Sequence, residues 1–192
     1  MTFRRIALFG GSFNPIHWGH IRLARRVLAD GWADEVWLLV SPQNPLKQQA
    51  SLADEQLRLQ WAQQAVADEP GITASDFEFH LSRPSYTWHT LCALSRTYPD
   101  REFSLLIGAD NWLHFDRWAH TEDILSHHQI LVYPRPGYPL PHPLPAGVHE
   151  IEAPLFPFAS TDIRQAILRG DDISSLVPES IIPSVTSTYG AP

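Results

Sequence analysis

The stretch Ile6-Ala7-Leu8-Phe9-Gly10-Gly11-Ser12-Phe13-Asn14-Pro15-Ile16-His17-Trp18-Gly19-His20 decides how the rest of the chain is read. Its first four residues are a continuous apolar run, the mark of a short strand buried on both faces, and the paired glycines end it. From Trp18 the apolar residues recur as Ile21, Ala24, Val27 and Leu28, the spacing of an amphipathic helix. A buried strand that turns through glycines into a helix is the opening unit of an α/β fold.

The same alternation runs outward from this unit. Val36 to Val40 and Phe103 to Ile107 are further continuous apolar runs, closed by Ser41-Pro42 and by Gly108. Ile72 to His80 alternates imperfectly and predicts a more exposed strand; Ile130 to Tyr133 and Val148 to Glu152 are short strand-like segments. Ser51, with Asp54 three residues on, resembles a capping box. It predicts a helix whose inner face is Leu52, Leu57, Trp61 and Ala65. Helical patterns also cover Tyr86 to Tyr98, parts of Asn111 to Ser126, and Ser160 to Leu168 with Gly170 behind. The six prolines between Pro134 and Gly147 exclude a helix or a central strand there. The segment after Pro183 is polar and carries no assigned element. These patterns predict one α/β domain over residues 1–192, a Rossmann-like, mostly parallel sheet with helices on both faces and a small C-terminal helical part.

Composition bounds the function. The 192 residues are 44% hydrophobic and 18% charged, enough apolar content for a real core. A net charge of −7 gives no basic face for general nucleic-acid binding. The one cysteine, Cys92, excludes an internal disulfide framework and reads as buried filler. Gly10-Gly11 interrupts the first apolar run before a signal-peptide core forms, and no apolar run is long enough to span a bilayer. A cytoplasmic protein without a membrane role is expected.

In open parallel sheets ligands bind at the carboxyl ends of strands, near a reversal of strand order. The segment Gly10 to His20 is neither a Walker A loop nor a Gly-x-Gly-x-x-Gly fingerprint, yet it has the parts of a phosphate site. Gly10 and Gly11 allow a ligand close to the backbone, and a helix N-terminus offers free amides and a positive dipole. His17 and His20, three apart on a first helical turn, point the same way, with Gly19 leaving space between them. A His-x-x-His pair alone is more often two surface histidines; the glycines and the strand-to-helix context favour phosphate. A zinc site lacks obvious further ligands, His127-His128 being the residue pair left by spacing. Phe158-Ala159-Ser160-Thr161-Asp162-Ile163-Arg164 is a second helix start, with two hydroxyls and a cation one turn later, suited to a polyphosphate between two helix ends.

These two segments, in this order, resemble the His-x-Gly-His and Ile-Ser-Ser-Thr-x-x-Arg motifs of the nucleotidylyltransferase superfamily. Ser41-Pro42-Gln43-Asn44-Pro45-Leu46-Lys47, Arg83-Pro84-Ser85-Tyr86-Thr87 and Leu106-Ile107-Gly108-Ala109-Asp110, with Trp118 beyond, narrow the resemblance to the bacterial nicotinate-nucleotide adenylyltransferases. Leu46 and His89 stand where that family commonly has His and Asp, and Phe158-Ala159 replaces Ile-Ser. The resemblance implies transfer of AMP from ATP to nicotinate mononucleotide. It implies His17, His20 and Arg164 as catalytic residues. It places ATP against Gly10, Gly11, Ser12, Phe13, Gly108, Asp110, Ser160 and Thr161. Arg135, between two prolines after what the pattern takes for the last parallel strand, joins that ATP side. Lys47, Ser85, Tyr86, Thr87 and Trp118 are implied to hold the acceptor. Mg2+ is implied to bridge substrate phosphates, with no protein metal ligands. The rivals are an enzyme using nicotinamide mononucleotide or phosphopantetheine as acceptor, and a non-catalytic nucleotide-binding module of the same fold.

Overall fold

The structure is a computed structural model that describes residues 3–42, 52–153 and 156–190. Among these residues six strands form one sheet, β1 (Arg4–Gly11), β2 (Glu35–Val40), β3 (Ile72–Ser75), β4 (Arg101–Gly108), β5 (Ile130–Tyr133) and β6 (Val148–Glu150). Their order is β3-β2-β1-β4-β5-β6 and every pair is parallel. This is the doubly wound order, whose direction of winding reverses between β1 and β4. Phe9 pairs with Leu38 on one side and Leu106 on the other, so β1 is the central strand.

The apolar runs divide by the period of a strand. Ala7, Phe9, Val36, Leu38 and Val40 face one layer, packed on residues of α1 (Trp18–Ala29), α2 (Glu55–Ala65), α6 (Ser160–Arg169) and α7 (Ile182–Tyr189). Ile6, Leu8, Trp37, Leu39, Leu105 and Ile107 face the other, against α3 (Thr87–Thr97), α4 (Ala109–Trp112) and α5 (Thr121–His127). Trp37 and Trp61 are both buried in these layers.

Four expectations change. The strand expected over Ile72 to His80 stops at Ser75, whose hydroxyl accepts the Phe77 amide at 3.2 Å and turns the chain into a 3-10 turn over Phe77–His80. The helix expected from Ser51 starts at Glu55, because the Asp54 carboxylate accepts the Gln56 amide at 2.9 Å and serves as N-cap; Ser51 lies outside the described residues. Its inner face carries Arg58 and Leu59, with Leu57 only partly buried. β5 is not the last parallel strand, since the proline-rich segment returns the chain to lay β6 beside it. Finally, the residues around Pro183 form α7, with the proline in the first turn, where its missing amide costs nothing.

Candidate functional site

The carboxyl ends of β1 and β4 open into a cavity of about 480 Å³, lined among others by Gly10, Gly11, His17, His20, Glu78, Trp118, Arg135 and Arg164. Its centre is the turn from β1 into α1. His17 is the N-cap of α1 and not a residue of its first turn; its Nδ1 accepts the Gly19 amide at 3.1 Å. His20 turns back so that its Nδ1 accepts the His17 amide at 3.2 Å. With each Nδ1 used as an acceptor, each neutral ring carries its proton on Nε2. The rings lie 3.7 Å apart and 31° from parallel, and both residues line the cavity. A Cβ at Gly19 would come within 2.9 Å of the His17 ring, so Gly19 makes room for that ring itself. Phe13 holds the turn from beneath in left-handed backbone (φ 44°), its ring buried against Phe9 and His20.

The expectation of free amides at this helix start fails. Trp18 N donates to the Leu176 carbonyl at 3.0 Å, Gly19 N to His17 and His20 N to the His17 carbonyl. The imidazoles have taken over the donor role. Burial, followed by the nearby charge of Arg135, pushes the His17 pKa down to about 3, with Asp162 opposing, so the ring is neutral at pH 7.

α6 supplies the open helix end. Its N-cap is Ala159, whose amide is closed by the Asp162 carboxylate at 2.7 Å, while the Ser160 and Thr161 amides have no partner among the described residues. The side chains of this segment tie it to the β1–α1 turn. Ser160 Oγ donates to the Pro15 carbonyl at 2.9 Å and Arg164 Nη1 to the Asn14 carbonyl at 2.6 Å. Arg164 Nη2 donates to Thr161 Oγ1 at 3.2 Å.

Across the strand ends, a Cβ at Gly108 would collide with Asp110 Oδ1 and press on Arg135. Glycine is therefore required for those two side chains to sit where they do. Asp110 Oδ1 and Arg135 Nε lie 3.5 Å apart, buried, each without a hydrogen bond. The two atoms face each other as an ion pair in the lining of the cavity. Arg135 Nη2 reaches the Tyr133 hydroxyl at 3.2 Å.

The far end is walled by Ser85, Tyr86 and Thr87 at the start of α3, whose N-cap, Tyr86, makes no side-chain cap. Trp118 is half-buried with its ring 5.2 Å from that of Phe115. The cavity thus brings together every expected site residue except Lys47, which lies outside the described residues. His127 and His128 belong elsewhere, around the Trp88 ring. Sequence reasoning missed Arg58, which is fully buried. It donates to the carbonyls of Ala53, Ser12 and Ser41 at 2.6 to 2.9 Å and so fixes the turn from behind. It missed Glu78 as well, although a lone acid between Phe77 and Phe79 was a signal. Asn14 was missed too; its side chain accepts the Ala53 amide and the Tyr189 hydroxyl.

Comparison with known proteins agrees with this geometry. The cytidylyltransferase-like family model matches residues 8–166. A Bacteroides fragilis protein named "Probable nicotinate-nucleotide adenylyltransferase" is 51% identical over 174 residues, 90% of this chain and 87% of that one. A protein of the same name from Flavobacterium johnsoniae is 40% identical over 92% of this chain and 93% of its own. Among solved structures, the Plasmodium falciparum nicotinic acid mononucleotide adenylyltransferase complexed with NaAD superposes with a TM-score of 0.76. It covers 97% of this chain and 98% of its own at 16% identity, a likeness of fold.

Proposed function

The chain belongs to the cytidylyltransferase-like family, among its nicotinate-nucleotide adenylyltransferases, and from that premise we propose how its residues transfer AMP from ATP to nicotinate mononucleotide. A phosphate oxygen of the mononucleotide attacks the α-phosphorus of ATP, the bond to the β-phosphate oxygen breaks, and pyrophosphate leaves as nicotinate adenine dinucleotide forms. The nucleophile is already an anion, so no side chain has to become a covalent intermediate or a strong base. The work is alignment of two anions and stabilisation of charge moving onto pyrophosphate.

The observation that carries this reading is the stacked pair His17 and His20, both with Nδ1 spent on backbone and both presenting Nε2–H. Two fixed neutral donors suit phosphate oxygens and require no proton transfer. The open amides of Ser160 and Thr161 and the remaining donors of Arg164 receive the β- and γ-phosphates, within the positive end of α6. Gly10, at which a Cβ would touch nothing in the protein, leaves its space for the nucleotide, beside Gly11, Ser12 and Phe13. Gly108, Asp110 and Arg135 complete the ATP side. Ser85, Tyr86 and Thr87 offer backbone amides to the acceptor's carboxylate and Trp118 stacks on its ring; Lys47, outside the described residues, is assigned to the acceptor by the resemblance alone.

Mg2+ is assigned to the substrate phosphates, as an ion that keeps most of its ligands from phosphate and water. When bound it neutralises charge on the polyphosphate. No helix among the described residues is long and apolar enough to cross a membrane. We take 1–192 as one catalytic domain, a reading supported by α7, which reaches the β1–α1 turn through Tyr189, and we place its work in the cytoplasm.

Pyrophosphate release with ATP and Mg2+ tests the proposal across nicotinate mononucleotide, nicotinamide mononucleotide and phosphopantetheine. Nicotinate mononucleotide is expected to be used best, and His20→Ala to lower kcat about a hundredfold. Release with none of the acceptors would leave a nucleotide-binding module instead.

A further inference from the structure

Glu78 is a buried carboxyl group in the cavity wall for which the reaction above has no use. It is 9% exposed and sits in the 3-10 turn that replaces the expected end of β3. Ser41 Oγ donates to its Oε2 at 2.9 Å, and Thr90 Oγ1 donates to its Oε1 at 2.9 Å. The two donors come from two places, the residue just beyond β2 and the second turn of α3. All three residues border the cavity.

Placing a carboxylate in such surroundings is unfavourable unless its lone pairs are filled, and here hydroxyls fill them. Burial pushes the Glu78 carboxyl up, and the hydroxyls from Ser41, Thr90 and Ser85 draw it back. The arrangement has a consequence for α3. The Thr90 hydroxyl held by Glu78 lies one turn past the N-cap Tyr86, whose carbonyl accepts the Thr90 amide at 3.1 Å, and α3 has no side-chain cap. The amides at the start of α3 are therefore left for something else, and they face the cavity end that Trp118 also borders.

We propose that Glu78 is a positioning residue that sets acceptor specificity. By holding the Thr90 and Ser41 hydroxyls it ties α3 to the end of β2 and so fixes the Ser85–Thr87 turn, with its amides directed at the acceptor's ring carboxylate. The proposal rests on the acceptor reading given above. It separates two jobs within one wall, since Glu78 touches no substrate and acts through the turn.

Glu78→Gln tests it, because the amide keeps the shape but presents an NH2 to a hydroxyl that must then rotate. Thr90→Val, which removes one tether and leaves Glu78 in place, is the milder companion. Expected for Glu78→Gln is a KM for nicotinate mononucleotide raised about tenfold, with the KM for ATP within about twofold and kcat little changed. The preference for nicotinate over nicotinamide mononucleotide should fall by a similar factor, and Thr90→Val should shift the same quantities less. In substrate-free protein, hydrogen exchange at the Thr90 amide, which donates to the Tyr86 carbonyl at 3.1 Å, should quicken about tenfold while the melting temperature moves little. Unchanged exchange at the Thr90 amide, or equal rises in both KM values, overturns the proposal. If the wild-type enzyme fails to use nicotinate mononucleotide at all, the acceptor reading falls. The exchange rates, which need no substrate, still decide whether Glu78 holds the turn.

Discussion

His17 faces two opposing demands, a buried position and a hydrogen bond that only its neutral form can keep. Protonating Nδ1 would break the acceptance of the Gly19 amide, and the nearby Arg135 charge makes a second cation less welcome. The folded pKa of about 3 lies below the ordinary 6.5. Between those values the unfolded chain binds a proton that the folded chain refuses, so stability falls as pH falls. The contribution is whole above pH 6.5 and is lost on going down towards about 3, at a slope of up to about 1.4 kcal/mol per pH unit. His17→Asn should therefore lose less melting temperature than wild type between neutral and mildly acidic pH. In the substrate-free enzyme the His17 ring resonances should not shift from pH 8 down to about 5. A His17 titration near its ordinary value would mean that the ring is solvated, and the fixed Nε2–H donor would no longer stand.

At the scale of elements, strands and helices with clear apolar period were readable, and the misreadings have one cause in common. Periodicity tracks apolar burial, so it passes over elements whose purpose is polar. Arg58 was hidden because Leu57, Trp61 and Ala65 satisfy the helical pattern on their own, whereas the fully buried guanidinium beside them ties the turn carbonyls. Likewise Phe77-Glu78-Phe79 continued an alternation, and only the Ser75 hydroxyl on the Phe77 amide ends the strand. α7 was missed because its residues are mostly small and polar. Its Val185 is buried, and Trp61 Nε1 donates to Ser184 Oγ at 2.8 Å. Tyr189 at its end donates to Asn14 Oδ1 and lies with its ring 6.0 Å from the Arg164 guanidinium carbon. A C-terminal helix thereby braces the β1–α1 turn and the arginine at once. Tyr189→Phe removes the hydroxyl and keeps the ring, so stability should drop by about 1 kcal/mol. The KM for ATP should rise several-fold while the acceptor KM holds. A variant with both KM values at wild-type level would reduce α7 to packing.

Across the whole molecule, the reversal of winding between β1 and β4 gives the cavity two chemically distinct ends. The stacked histidines, α6 and the Asp110–Arg135 pair form one; the start of α3 and Trp118 form the other. The motifs at the strand ends were legible because phosphate chemistry needs particular residues at fixed spacing. The wall between the ends was not, because hydroxyls, a buried carboxylate and backbone amides leave no pattern in one sequence. Two ends imply that substrate effects separate, and Trp118 is the residue that tests this. Its ring is only half-buried and rests on Phe115, which in turn lies with its ring 5.3 Å from that of Trp112, so a firm apolar floor remains beneath it. Stacking on an electron-poor ring contributes about 0.5–1.5 kcal/mol beyond area burial, before and during reaction alike. Trp118→Ala should therefore raise the KM for nicotinate mononucleotide roughly tenfold and change kcat less. The KM for ATP should stay near wild type, because its partners lie at the other end. A tryptophan serving the core would behave differently, losing about 3–5 kcal/mol of stability on truncation and harming both substrates together. Both KM values and the melting temperature, measured on the same variant, separate the two. A large fall in melting temperature without selective damage to the acceptor would return Trp118 to the core and leave α3 as the acceptor end's remaining wall.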